Sequence, residues 1–182
     1  MKIYLVRHGE TSIDLKGWMN VLGYTKLLRK YNRAGIKVDK QRSSKLTNII
    51  YSDTKYFSSD LPRAVQTATE VSSNYNIIQD KIFREIDLPV VKLPIIANYN
   101  TWRKLARFFW FFGLSKNRNF WKSKKRISKA ALKLMNEAEK NDVVLFGHGM
   151  MNSLLALELK LKGWKCSIPL VNNYWHVIIL KQ

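Results

Sequence analysis

Short apolar runs rich in β-branched residues recur along the 182-residue chain and alternate with stretches of helical period. The runs at 3–6, 48–51, 77–83, 143–146 and 174–180 predict strands. Apolar spacing of helical type across 60–73, 120–140 and 150–161 predicts helices between them. Ser59 or Asp60 suits the N-cap of the first of these helices, and Pro62 suits its first turn. Strands alternating with helices predict an α/β fold with a mostly parallel central sheet flanked by helices on both faces. The length suits a single domain, 1–182, and no internal repeat or low-complexity tract interrupts it.

One segment departs from the alternation. After Pro89 and Pro94, residues 88–140 read as a cationic, aromatic, helical cap inserted over the strand ends. At helical pitch, Trp102, Leu105, Ala106, Phe108, Phe109 and Phe112 share one broad face, and Arg103, Lys104 and Arg107 share the other. Trp110 and Phe111 fall on the basic side, where core packing does not explain them, so they are candidates for a substrate lid or a membrane-surface contact. Gly113 stops the helix, and a second helix follows with Phe120, Ile127, Ala131, Leu134 and Ala138 inward.

Charge sharpens this picture. The formal net charge is +19, and between Leu88 and Asn136 twelve Lys and Arg stand without a single Asp or Glu. Such a stretch is either a solvated basic face or a positive field that draws anions toward a cleft or surface. An anionic phosphorylated small molecule is the expected partner, with a peripheral anionic membrane contact beside it; nucleic acid is disfavoured. The single cysteine, Cys166, cannot form an internal disulfide and fits a reducing compartment. An opening strand leaves no room for a secretory signal and no apolar run reaches spanning length, so a cytoplasmic location is expected, peripheral at a membrane if that contact exists.

The chemistry begins at the end of the first strand, in Arg7-His8-Gly9-Glu10-Thr11. Open α/β sheets place ligands at the carboxyl ends of their strands. Arginine there offers a planar fork of donors to phosphate, imidazole can attack phosphorus, and glycine lets the backbone approach an anion. This motif resembles that of the histidine phosphatase superfamily, the phosphoglycerate mutase-like family. Three further stretches resemble the family's later motifs, in its order: Ser58-Ser59-Asp60-Leu61-Pro62-Arg63, Arg84-Glu85-Ile86-Asp87, and the run from Val143 to Gly147-His148-Gly149.

The resemblance implies a metal-independent phosphomonoester hydrolase without a cofactor. His8 is implied as the nucleophile that becomes a phosphohistidine, Arg7 and Arg63 as the phosphate clamp, His148 as a further donor to the phosphate, and Glu85 as acid and base. Asp87, two residues on, would face the same side of an extended segment and is the alternative to Glu85. Gly9, Thr11, Asp14, Asp87, Trp110 and Phe111 are candidate pocket residues. Asp14 departs from the family pattern, which has asparagine at that place near the phosphate, and Asp87-Leu88-Pro89 replaces a glycine-rich stretch. A phosphomutase with the same intermediate is the near alternative. A protein that binds anionic membrane or nucleic acid through 88–136 is the distant one.

Overall fold

The computed structural model describes residues 1–47, 54–72, 76–116, 120–166 and 173–182. In chain order its elements are β1 (Lys2–Arg7), β2 (Trp18–Met19), α1 (Val21–Arg33), α2 (Lys40–Thr47), β3 (Thr54–Ser58), α3 (Pro62–Ser72), β4 (Ile77–Gln79) and a 3-10 turn (Lys81–Phe83). There follow β5 (Ala97–Asn98), α4 (Tyr99–Phe111), α5 (Phe120–Ala138), β6 (Asp142–Gly147), α6 (Gly149–Leu161), β7 (Lys165–Cys166) and β8 (Val177–Lys181). Six strands form one sheet in the order β4-β3-β6-β1-β8-β7, and β2 pairs with β5 in a small antiparallel ribbon. From β4 to β1 the neighbours are parallel, and only β8 runs against the rest.

Apolar residues on both faces of β1 and β6 explain their central place, because a strand covered on both sides has no polar face to show water. Side chains alternate between faces along β1. Ile3 and Leu5 pack with Ile127, Ala131 and Leu134 of α5 and with Met151 and Leu155 of α6, while Tyr4 and Val6 pack with Leu46 of α2 and Ala68 and Val71 of α3. A third apolar cluster joins α1 to α4 through Tyr24, Tyr99 and Trp102, with the Tyr24 and Trp102 rings stacked at 5.5 Å. The Trp102 indole N–H donates to the Met19 carbonyl at 2.9 Å, fixing α4 over the β2–β5 ribbon. Among the described residues no helix is long and apolar enough to cross a membrane.

The crossovers position a crevice. After β1 the chain passes beyond β6 to β3; after β6 it crosses the other way, to β7 at the far edge. Adjacent strands whose connections leave in opposite directions open a cleft at their carboxyl ends. The ends of β1 and β6 are Arg7 and Gly147, paired in register.

Several expectations are refined. The strand expected at 48–51 lies outside the described residues, and the strand in that part of the chain is β3. The run at 77–83 breaks after Gln79, because the Asp80 side chain accepts from the Ile82 N–H at 2.9 Å and starts the 3-10 turn. Asp60 does not cap α3. It binds Arg84, and the Ser59 hydroxyl accepts from the Leu61 N–H at 3.3 Å instead.

The largest revision concerns 88–140. It is not one cap but is shared between two layers: α5 lies in the main core on the sheet, and the first half of α4 packs on α1. The buried stripe of α4 is Tyr99, Trp102, Ala106 and Trp110, rather than the broad face drawn through Phe108, Phe109 and Phe112. Trp110 is only 2% exposed, and its N–H donates to the Ser123 hydroxyl at 3.1 Å, so it locks α4 to α5 and is neither lid nor pocket residue.

Candidate active site

The β1–β6 ladder brings the two motif histidines together. The His8 N–H donates to the Gly147 carbonyl at 3.0 Å, and the rings of His8 and His148 lie 5.2 Å apart, edge to face. His8 Nδ1 lies 2.8 Å from the Gly9 carbonyl oxygen. A carbonyl can only accept, so Nδ1 carries the proton and Nε2 is left with the lone pair. The Tyr31 hydroxyl is 3.5 Å from Nε2. Burial, and next to it the Arg63 cation, holds His8 well below the ordinary histidine pKa. The same two causes, in the same order, hold His148 well below it too. Both rings are therefore neutral at pH 7.

Glycine at position 9 is a packing requirement. A Cβ there would stand 2.5 Å from the Trp175 indole. Trp175 itself has φ of +63°, a left-handed conformation that costs a bulky residue of order 1–3 kcal/mol. Its backbone N–H reaches the His8 carbonyl at 3.4 Å, so the 173–176 loop clamps the end of β1. The preceding residue, Tyr174, lies 5.6 Å from the His8 ring and under the Arg7 guanidinium at 4.3 Å.

Arg63 enters from the first turn of α3 and is fully buried. It donates to the Tyr31 carbonyl at 3.1 Å and stacks on the Tyr31 ring at 4.3 Å, yet its Nε has no partner among the described residues. Neither ring nitrogen of His148 has one. Buried polar groups without partners cost roughly 1–3 kcal/mol each, a cost that an oxyanion accepting their N–H bonds would offset. The cluster holds the fully buried Arg63 and the half-buried Arg7, with no fully buried carboxylate beside them among the described residues, which is the electrostatics of an anion site.

Glu85 stands at the opposite wall. Its carboxylate accepts from the backbone N–H groups of Ile86 at 3.0 Å, Met151 at 3.0 Å and Met150 at 3.4 Å. Met150 and Met151 belong to the first turn of α6, whose N-cap His148 makes no capping bond with its side chain. Glu85 thus closes a helix that starts in a different motif, where orphan N–H groups favour an anion. Asp87 is exposed but lines the same cleft, which has a volume of about 200 Å³ and whose walls also include Arg7, Tyr31 and Arg63. The two motif loops are tied by Arg84, bidentate on Asp60 at 2.6 Å and 2.6 Å.

Some sequence candidates stand elsewhere. The Asp14 side chain is exposed and accepts from the Lys16 N–H at 3.1 Å, away from the cleft lining. Thr11 is buried and bridges Ile36, holding the loop after β1. Phe111 is exposed and does not line the cleft. In their place the structure supplies Tyr31, Arg103 and Arg107, both arginines belonging to the basic face of α4. A further residue hidden in the basic run is Arg126 of α5. It donates to the carbonyls of Arg84 at 2.6 Å, Glu85 at 3.1 Å and Ile82 at 3.2 Å, anchoring the loop that carries Glu85. Three carbonyls on one guanidinium could not be foreseen from a run of lysines.

A family model described as histidine phosphatase superfamily (branch 1) matches residues 3–172. Among curated proteins none matches by sequence. Solved structures do. The Mycobacterium tuberculosis protein of open reading frame Rv3214 is 14% identical with a TM-score of 0.66, the match covering 98% of this chain and 89% of that one. An Entamoeba histolytica phosphoserine phosphatase in complex with 3-phosphoglyceric acid is 16% identical over 98% and 89% of the two chains, with a TM-score of 0.66. A mycobacterial glucosyl-3-phosphoglycerate phosphatase is 18% identical over 94% and 82%, with a TM-score of 0.60.

Arg126→Ala should free the 82–85 backbone and let Glu85 drift. A displacement near 1 Å at a working group can cost roughly 100-fold in rate. We expect a loss of turnover approaching that size on a phosphomonoester, with the folded circular dichroism spectrum kept and partial rescue by Arg126→Lys. Unchanged turnover would show that the anchor is dispensable.

Proposed function

Because this chain belongs to the histidine phosphatase superfamily, branch 1, we propose that it hydrolyses phosphomonoesters through a phosphohistidine formed on His8. One observation carries the proposal. The Gly9 carbonyl fixes the proton on Nδ1, so an uncharged Nε2 lone pair is left toward Tyr31, a residue of the cleft that Arg7 and Arg63 also line. A phosphoryl group reaches Nε2 by taking the place of the Tyr31 hydroxyl. Arg7, Arg63 and His148 then offer donors to its oxygens, in a reaction governed by positioning and charge.

Nε2 attacks phosphorus, the N–P bond forms, and the ester P–O bond breaks. The leaving alkoxide takes a proton from Glu85. In the second half, Glu85 as carboxylate takes a proton from water, and the resulting hydroxide attacks phosphorus. The N–P bond breaks, inorganic phosphate leaves, and His8 is again neutral. The family and the phosphatase neighbours support a small phosphorylated metabolite as substrate. Beside Arg7 the site opens into a broad trough, which favours hydrolysis over return of the phosphoryl group to an isomer.

A second, compatible reading rests on the far end of α4. Phe108, Phe111, Phe112, Leu114 and Trp121 are between 52% and 68% exposed, and the rings of Phe108 and Phe112 meet at 4.6 Å. Exposed lysines 104, 116, 122, 124 and 125 flank them, without an acidic residue in the segment. Apolar rings surrounded by cations match an anionic membrane surface. Phe111 keeps its expected place in that contact and Trp110 loses it.

His8→Ala should abolish phosphate release. The wild-type chain should also yield acid-labile, base-stable phosphate when quenched in turnover, and the variant none. Near wild-type turnover in the variant would reject the nucleophile. Glu85→Gln should slow alkyl phosphates far more than aryl phosphates, since general acid help is typically worth ~10²–10⁴-fold and a good leaving group needs little of it. If Asp87→Asn shows the larger alkyl-selective loss, the role belongs there. For the membrane contact, Phe111→Ser with Trp121→Ser should weaken sedimentation with phosphatidylserine vesicles and leave hydrolysis of a soluble ester intact. Wild-type protein that ignores such vesicles would end that reading.

A further inference from the structure

The second cavity of the molecule has a volume of about 700 Å³ and adjoins the cleft of the reaction site. Arg7 and Arg103 line both, so the two spaces share a wall of two guanidinium groups. Arg42 and Lys45 of α2 also line the trough, and Asn173, Tyr174 and His176 add to its polar lining. No carboxylate lines it among the described residues. Arg42 has an ion pair of its own, its Nε lying 3.4 Å from Asp39 at the start of α2.

The reaction site does not require this charge. Arg7, Arg63 and His148 already surround the transferred phosphoryl group. Arg103, Arg42 and Lys45 are surplus to it, yet they continue the positive wall away from His8. Like charges held together repel one another, and Arg103 already presses on both Arg7 and Arg107. An anion seated among them would relieve that repulsion.

We propose that the trough is a subsite for a second anionic group on the substrate, so that the preferred ester carries a phosphate or carboxylate on the portion that leaves. This rests on the phosphatase reading above and narrows its substrate class. The phosphoryl group to be transferred lies at His8 Nε2, the leaving alkyl chain passes Tyr174, and its distal anion lies between Arg103, Arg42 and Lys45. Arg7 contacts the transferred group, so it serves the chemistry. Arg42 and Lys45 touch only the distal anion, so they should act on binding alone.

The experiment compares three esters with the same four-carbon chain: butyl phosphate, butane-1,4-bisphosphate, and the phosphate ester of 4-hydroxybutanoate. Wild-type enzyme should show a KM about tenfold lower for either dianion-tailed or carboxylate-tailed ester than for butyl phosphate, the size expected for a charge-assisted pair. The stronger of the two identifies the anion. Arg42→Gln with Lys45→Gln should erase that advantage, leaving kcat and the butyl phosphate KM unchanged. Calorimetric binding of the same three esters to His8→Ala gives the subsite a readout that needs no turnover. If butyl phosphate is not hydrolysed but the anionic tails still bind better, the phosphatase reading fails and the subsite stands. If all three bind and react alike, or if the double variant weakens all three equally, the subsite is wrong while the phosphatase reading survives.

Discussion

The parallel ladder between β1 and β6 is the constraint on which the rest depends. Its register sets Arg7 opposite Gly147, and one residue later each strand ends in a histidine. A slip by one residue would turn every side chain of β1 to the other face and part the two rings. The register is held by burial, since Ile3 and Leu5 must meet α5 and α6 while Tyr4 and Val6 meet α2 and α3. The hydrophobic core thus does the positioning, and the polar groups at the strand ends inherit their geometry from it.

What the core positions is an excess of positive charge where solvent cannot screen it. Arg63 is fully buried, and the histidines beside it stay neutral because burial and that cation both oppose protonation. Neutral histidines keep a nucleophile available; cationic ones would have none. The same field prepares the site for an anion before one arrives. Around it the structure is braced by three contacts: Arg84 on Asp60, Arg126 on three carbonyls, and Trp175 against Gly9.

Much of this was legible in the chain. The strands around β1 and β6 announce themselves as continuous apolar runs, and α3, α5 and α6 as periodic ones. The four motifs fall at strand ends or in loops beside them. Arg7, Arg63 and Glu85 line one cleft, and His8, with the His148 ring beside it, lies 3.5 Å from the Tyr31 hydroxyl of that cleft. What could not be read were contacts between distant elements. Trp110 looks like a misplaced aromatic on a basic face until Ser123 and Phe120 of the next helix are seen against it. Arg126 looks like one more surface cation. Helix α1 is amphipathic but polar on average, with only Tyr24 fully buried, and α2 has little periodicity at all; neither was read from the sequence, so Tyr31 and Arg42 had no frame in which to matter. Asp14 raised a question of charge that the fold answers by distance.

One arrangement ties catalysis to mechanics. Glu85 belongs to one motif, but its carboxylate closes the start of α6, the helix that begins beside the second histidine of another. A carboxyl group that works on protons changes its strength as a hydrogen-bond acceptor twice in each cycle. On the mechanism proposed above, the amides of Met150 and Met151 would feel that change, so the first turn of α6 would tighten and slacken in step with the chemistry. The helix leads on to β7 and the antiparallel edge of the sheet, including the loop that clamps Gly9. On that mechanism the two halves of the site would be coupled through a helix end, and a substitution that merely loosens α6 would be read as a change in acid strength.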